Sequence, residues 1–152
     1  MTDSLIMRDA TGADLPAIVA LLADDKLGST REDAADLAPY QAGFAEVEAD
    51  PNQRLIVAER DGETVGTFQL SIIPGVAQQG LKRAMIEAVR VAATERGSGL
   101  GTQMMRWAVE EARRAGCGQV QLTSNVERPD AHRFYERLGF APTHVGFKLK
   151  LG

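Results

Sequence analysis

Three glycines at alternate positions, Gly97, Gly99 and Gly101, stand where a β-like run ending near Val91 gives way to a long helical pattern opening at Leu100. Glycine lacks the Cβ that keeps a ligand off the backbone. The first turn of a helix leaves about four N–H groups without internal partners. Together they make a concave set of donors at the positive end of the helix dipole, which suits a phosphate. The dipole alone contributes only about 0.3–2 kcal/mol. Hydrogen bonds from N–H groups to charged oxygens contribute roughly 1.5–3 kcal/mol each, so they must carry most of the affinity. An ordinary strand-to-helix turn that uses glycine is the other reading. The GxGxG spacing departs from the GxGxxG of dinucleotide-binding loops, and the loop lacks the lysine of a Walker A loop.

Other chemistry-bearing residues are sparse. His132, His144 and the single cysteine, Cys117, are scattered without metal-ligand spacing, so no metal is expected. Cys117 follows the glycine that ends the long helix and reads as a small packing residue. A lone cysteine suits a reducing compartment. The formal charge is −4 with no basic block, which disfavours strong nucleic-acid binding. No run of about 18 apolar residues predicts a membrane span. The N-terminus has no basic segment followed by an apolar run, so no signal peptide is expected and the predicted location is cytoplasmic.

The elements that must position the loop alternate in type, and the 152 residues fit one α/β or α+β domain, residues 1–152. Residues 4–8 read as a strand. Thr11 and Asp14 form a possible capping box before a helix with Leu15, Ile18, Val19 and Leu22 on one face. A second helical region is predicted over 30–48, with Thr30 and Asp33 at its start and Pro39 breaking or kinking it. Strands follow at 55–60 and 64–73, joined by the tight-turn pair Asp61-Gly62, and a third at about 83–93. Residues 100–115 form the clearest helix, ended by Gly116. Residues 119–124 read as a strand, and Pro129 opens a short helix stopped by Gly139. Val145, Phe147, Leu149 and Leu151 recur at period two and predict a final strand.

Arg96, Gly99 and Gly101, with Val91 upstream, resemble the Gln/Arg-x-x-Gly-x-Gly/Ala motif of the GNAT acetyltransferase superfamily. The segment from Ala131 to Phe140, AHRFYERLGF, is similar to its C-terminal Ala-x-x-Phe/Leu-Tyr-x-x-x-Gly-Phe signature. Met7 to Leu15 is similar to its first strand and helix. The resemblance covers nearly the whole chain. It implies a mixed, mostly antiparallel sheet of about six to seven strands flanked by about four helices. It also implies transfer of an acetyl group from acetyl-CoA to a primary amine of a small molecule or peptide, by direct attack in a ternary complex. A non-catalytic acyl-CoA-binding module of the same fold is the alternative; the presence of both Glu87 and Tyr135 favours the enzyme.

By this resemblance the cofactor pyrophosphate rests on the amides of Gly97, Ser98, Gly99, Leu100, Gly101 and Thr102, with Arg96 leading the loop. The pantetheine arm pairs with the backbone of Val89, Arg90 and Val91 in a gap between strands. Tyr135 matches the tyrosine that protonates the departing thiolate; a core aromatic is the plainer alternative. Glu87 matches a position used as general base in part of the superfamily. On a strand face shared with Met85, Val89 and Val91 it is expected to be buried, which raises a carboxylate pKa; a structural or substrate-orienting acid is the other reading. Arg128 occupies the position where many relatives carry a pantetheine-contacting asparagine, and Asn125 is the candidate substitute. The acceptor site is expected between residues 26–44 and 74–83. Arg31, Arg83 and Arg90 are cations that a substrate carboxylate would meet, though a solvated surface charge is the plainer reading of each. A homodimer is a further expectation from the family.

Overall fold

The computed structural model describes residues 4–152. In chain order its elements are β1 (Leu5–Asp9), α1 (Leu15–Ala23), α2 (Gly28–Arg31), α3 (Ala38–Ala49), β2 (Gln53–Arg60), β3 (Glu63–Ile73), the one-turn α4 (Ala77–Gly80), β4 (Arg83–Val91), α5 (Leu100–Arg114), β5 (Gln119–Leu122) and α6 (Pro129–Arg137). The strands form one sheet in the order β1-β2-β3-β4-β5. The first four pair antiparallel, and β4 pairs with β5 in parallel.

Local chemistry explains the early elements. The Asp14 carboxylate accepts the backbone N–H of Thr11 at 2.7 Å and its hydroxyl at 3.2 Å, fixing the entry to α1. Asp61 and Gly62 both have positive φ, 52° and 84°, as a two-residue hairpin turn requires. The helix predicted over 30–48 is instead two helices. Thr30 donates to the carbonyl of Leu27, and a loop of aspartate-capped turns follows, with Asp33 and Asp36 accepting the amides of Ala35 and Ala38. Pro39 lies in the first turn of α3, where its missing N–H costs nothing.

The main core lies between the sheet and α5. Leu100, Met104, Met105, Ala108 and Ala112 from the helix meet Ile56, Phe68, Leu70, Ala84 and Ile86 from the strands. Gly66 lets β3 pass directly beneath Met104: a Cβ there would lie 2.7 Å from the Met104 sulfur. Each large side chain in this layer contributes about 1.5–3 kcal/mol of burial. The opposite face takes α1 through Leu15, Ile18 and Val19, all buried.

Two departures from the sequence reading concern the sheet. It has five strands among the described residues, not six to seven. Residues 141–152 form no strand, although Val145, Phe147, Leu149 and Leu151 keep their alternation. They are 78%, 93%, 86% and 90% exposed. A period-two pattern makes a segment able to pair, but the ladder needs a neighbouring strand, and among the described residues the tail pairs with none.

The other irregularity is a bulge in β4. Thr67 faces Arg90 while Gln69 faces Glu87, so three steps on β4 oppose two on β3. The extra residue is accommodated at Ala88, whose φ is 54°. Ala84 and Ile86 lie in the core before the bulge; Val89 and Val91 pack against the same core after it. The even-numbered inward set thus becomes odd-numbered, as a single inserted residue dictates.

Candidate active site

The loop before α5 is open. Gly97 and Gly99 have φ of 79° and 83°, and a Cβ at either would meet no atom within 4 Å. Their conformation favours glycine, and the space beside them is free. The amides of the loop divide into two sets. Ser98 N–H donates to the Glu95 carbonyl at 3.0 Å, and Leu100 N–H to the Ser98 hydroxyl at 3.3 Å. The amides of Gly97, Gly99, Gly101 and Thr102 have no partner among the described residues. Four of the six amides from Gly97 to Thr102 are therefore unpaired among the described residues. Arg96 is exposed beside them, and Leu100 turns its side chain into the core. Below the loop, Glu95 accepts from the Ser98 hydroxyl and from Arg60, which steadies it.

β4 and β5 pair only from Arg83–Gln119 to Ile86–Leu122. β4 continues to Val91 while β5 ends, so the backbone of residues 87–91 has no strand neighbour on that side among the described residues. The glycine loop follows the end of this unpaired stretch.

Tyr135 projects from α6. Its ring packs edge-on against Phe134, with centroids 5.2 Å apart, and against Phe140 at 5.9 Å. Its hydroxyl has no hydrogen-bond partner among the described residues. Burial raises the phenol pKa, and the nearby charges of Arg90 and Arg128 partly offset that. Tyr135 thus has a ring packed among aromatics and a hydroxyl left unpaired among the described residues.

Glu87 is solvent-exposed rather than buried. The reading that grouped it with Met85, Val89 and Val91 assumed an unbroken alternation. The bulge at Ala88 moves Val89 and Val91 to the core side, so Glu87 shares no face with them.

The same bulge sends Arg90 the other way, toward the α1–α2 corner. Its Nη1 donates to the carbonyl of Val89 at 2.9 Å, and its Nε lies 3.6 Å from Asp25 Oδ2. That Nε is buried without a hydrogen-bond partner. Arg128, at the start of α6, donates to the same Asp25 oxygen at 2.5 Å. Gly28 N–H donates to the other oxygen. Of the three arginines noted in the sequence, Arg90 is therefore not a solvated surface charge. Asp25 and Arg128 lie 103 positions apart, and no local pattern links them.

Asn125 organises the loop ahead of α6: its Oδ1 accepts the Glu127 amide, and its carbonyl accepts from Arg128 N–H and contacts His132 Nε2. Its side-chain nitrogen has no partner among the described residues. Burial pushes the Cys117 thiol pKa up, as befits a packing residue. A separate open groove of about 670 Å³, bordered by Ala17, Leu21, Thr64 and Ala93, lies on the α1 side of the β4 end and includes neither Tyr135 nor Glu87. Among the described residues no cluster of three or more His, Cys, Asp or Glu is arranged to hold a metal. No helix among them is long and apolar enough to cross a membrane.

Comparison with known proteins identifies the family and the fold. Residues 15–140 match the family described as the Acetyltransferase (GNAT) family. The chain is 34% identical over 149 residues to an aminoalkylphosphonate N-acetyltransferase of Salmonella typhimurium, covering 95% of this chain and 90% of that protein. It is 30% identical over 141 residues to an L-methionine sulfoximine/L-methionine sulfone acetyltransferase of Pseudomonas aeruginosa, covering 90% and 80%. A solved structure described as a transcriptional regulator from Bacillus halodurans is 43% identical and superposes with a TM-score of 0.92, over 97% of this chain and 99% of that one.

Proposed function

Because this chain belongs to the acetyltransferase (GNAT) family, we propose that it transfers an acetyl group from acetyl-CoA to the primary amine of a small molecule. The observation that supports this best is the meeting of three features at one place: the open glycine loop, the splayed end of β4, and the free hydroxyl of Tyr135. The four unpaired amides at Gly97, Gly99, Gly101 and Thr102 suit a pyrophosphate. The unpaired backbone of Val89, Arg90 and Val91 suits the amide groups of a pantetheine arm, with the side-chain nitrogen of Asn125 on the far side.

Bound there, acetyl-CoA supplies the thioester that the amine attacks. The residues of the chain manage two protons. An alkylamine has a pKa of about 10.4 and is mostly charged at neutral pH. Glu87, exposed at the β4 bulge, takes up the proton that the amine loses, directly or through water. The C–N bond then forms and the C–S bond breaks. Tyr135 gives its phenolic proton to the departing sulfur, whose thiol pKa is about 8.5.

The reading is tested by measuring free thiol released when the protein, acetyl-CoA and a panel of amines, amino acids and aminoglycosides are mixed. Amine-dependent release is the expected result; CoA binding with no release to any amine favours the non-catalytic module instead. Glu87→Gln is expected to lower activity most at low pH, where deprotonating the amine is hardest. A pH–rate profile unchanged from the parent rules out the base role.

The exposed apolar tail supports a homodimer in which residues 145–151 add to the sheet of a second copy. The free thiol of Cys117 fits a reducing compartment, the cytoplasm.

A further inference from the structure

Arg31, Arg90 and Arg128 gather around two carboxylates, Asp25 and Glu32, between α1, α2, β4 and the start of α6. Asp25 carries most of the compensation and is already shared. One of its oxygens accepts from Gly28, and the other serves both Arg128 and Arg90. Glu32 accepts from the Tyr40 hydroxyl at 3.0 Å. Arg31 is solvent-exposed, so the enclosed cations are Arg90 and Arg128; both lean on one oxygen of Asp25, and Arg90 is the one left short of an acceptor. Its Nε is buried with no acceptor, and 3.6 Å from Asp25 is too far for a hydrogen bond. Burial and the Arg128 charge both lower its pKa, yet a guanidinium does not release its proton in a protein. The Arg90 side chain is 17% exposed, and its partly buried charge, with one N–H unpaired, favours a further anion at its open side.

This shortfall borders the reaction centre. Both guanidinium charges act on the Tyr135 phenol. Arg90 is three residues from Glu87 on β4, so their Cα atoms are at most roughly 10 Å apart. Amine and acid ends of one small molecule can span that distance between the two side chains.

We propose that the acceptor carries an oxyanion beside its amine, a carboxylate or phosphonate a few bonds away, and that Arg90 and Arg128 hold that group while Asp25 orients the two guanidiniums. The proposal rests on the acetyl-transfer reading and adds the class of acceptor and the residues that select it. Gly28 belongs to the same device. A Cβ at Gly28 would lie 1.9 Å from the Leu22 carbonyl oxygen and 2.8 Å from Asp25 Oδ1, so only glycine lets the corner close on Asp25.

The experiment compares aminomethylphosphonate and glycine with two acceptors lacking the acid, glycinamide and propylamine. Each is measured by steady-state kinetics and by calorimetric binding to the CoA-loaded protein, in the parent and in Arg128→Gln. The parent is expected to favour an acid-bearing amine by about 10–100-fold in KM or Kd, and Arg128→Gln to erase that preference while affinity for CoA is unchanged. Arg128→Lys, which keeps the charge but not the fork, is expected to fall between them and replaces Arg128→Gln should the latter not fold. Equal use of charged and uncharged amines by the parent, or a loss in Arg128→Gln shared equally by both sets, overturns the proposal and leaves acetyl transfer standing. Selective binding of an acid-bearing amine that is never acetylated upholds the anion site and overturns acetyl transfer. Preference for aminomethylphosphonate over glycine, or the reverse, identifies the oxyanion.

Discussion

Phe134 rests against Gly101: a β-carbon on that glycine would stand 3.3 Å from the Phe134 Cζ atom. The contact seats α6 on the first turn of α5, so the helix that carries Tyr135 is positioned by the helix whose N-terminus faces the expected pyrophosphate. The three alternate glycines therefore do different jobs. Gly97 and Gly99 keep the loop open, whereas Gly101 admits a ring. Gly101→Val is expected to crowd Phe134, costing about 1–3 kcal/mol of stability and lowering kcat by displacing Tyr135. Gly99→Leu, beside open space but at a φ of 83°, is expected to abolish CoA binding while the fold persists at a backbone cost of about 1–2 kcal/mol. Thermal melts and CoA calorimetry on the two variants separate these effects; equal loss of CoA affinity in both contradicts the division.

Tyr135→Phe removes a hydroxyl that bonds to nothing else among the described residues. Stability is expected to change little, while kcat falls by about 10²–10⁴-fold and acyl-CoA affinity changes less. Full turnover in the variant reduces Tyr135 to a packing aromatic between Phe134 and Phe140.

Arg8 holds the entrance to α1. Its guanidinium donates to both oxygens of Asp14 at 2.8 and 2.9 Å and so lowers the Asp14 pKa from 3.8 to about 2. A carboxylate whose folded pKa is depressed stabilises the fold above its unfolded value, about 3.9. That stability is lost as pH falls through about 2. Asp14→Asn is expected to cost at most about 2 kcal/mol at neutral pH, with the gap from the parent closing between about pH 4 and pH 2. Denaturant titrations across that range measure it; a gap independent of pH assigns the loss to packing.

Ending the chain after residue 141 removes the four exposed tail side chains. If they add a strand to a second copy, light scattering is expected to show a dimer for the full chain and a monomer for the shortened one. A monomer in both cases removes the tail from any interface.

Much of this architecture is written locally. The hairpin at Asp61-Gly62, the link between Thr11 and Asp14, the stripe of α5 and the glycine loop each follow from neighbours a few positions apart. Tyr135 is placed by a short motif on one helix. The parts that escaped depend on distant partners. No glycine marks the β4 bulge; it is a matter of register against β3, so the exposure of Glu87 and the turn of Arg90 toward Asp25 were hidden. Arg128 reads as a lost asparagine until the fold brings Asp25 beneath it. The tail shows strand periodicity, but pairing is a property of two segments, and the tail joins neither edge strand among the described residues.

The single extra residue at Ala88 sets a reading frame for the strand. Deleting it would carry the Arg90 guanidinium into the apolar layer under Met104 and turn a valine toward Asp25. A substitution in β4 alters one side chain, whereas a change in its length would exchange the face turned to α1 for the one turned to α5 in a single step.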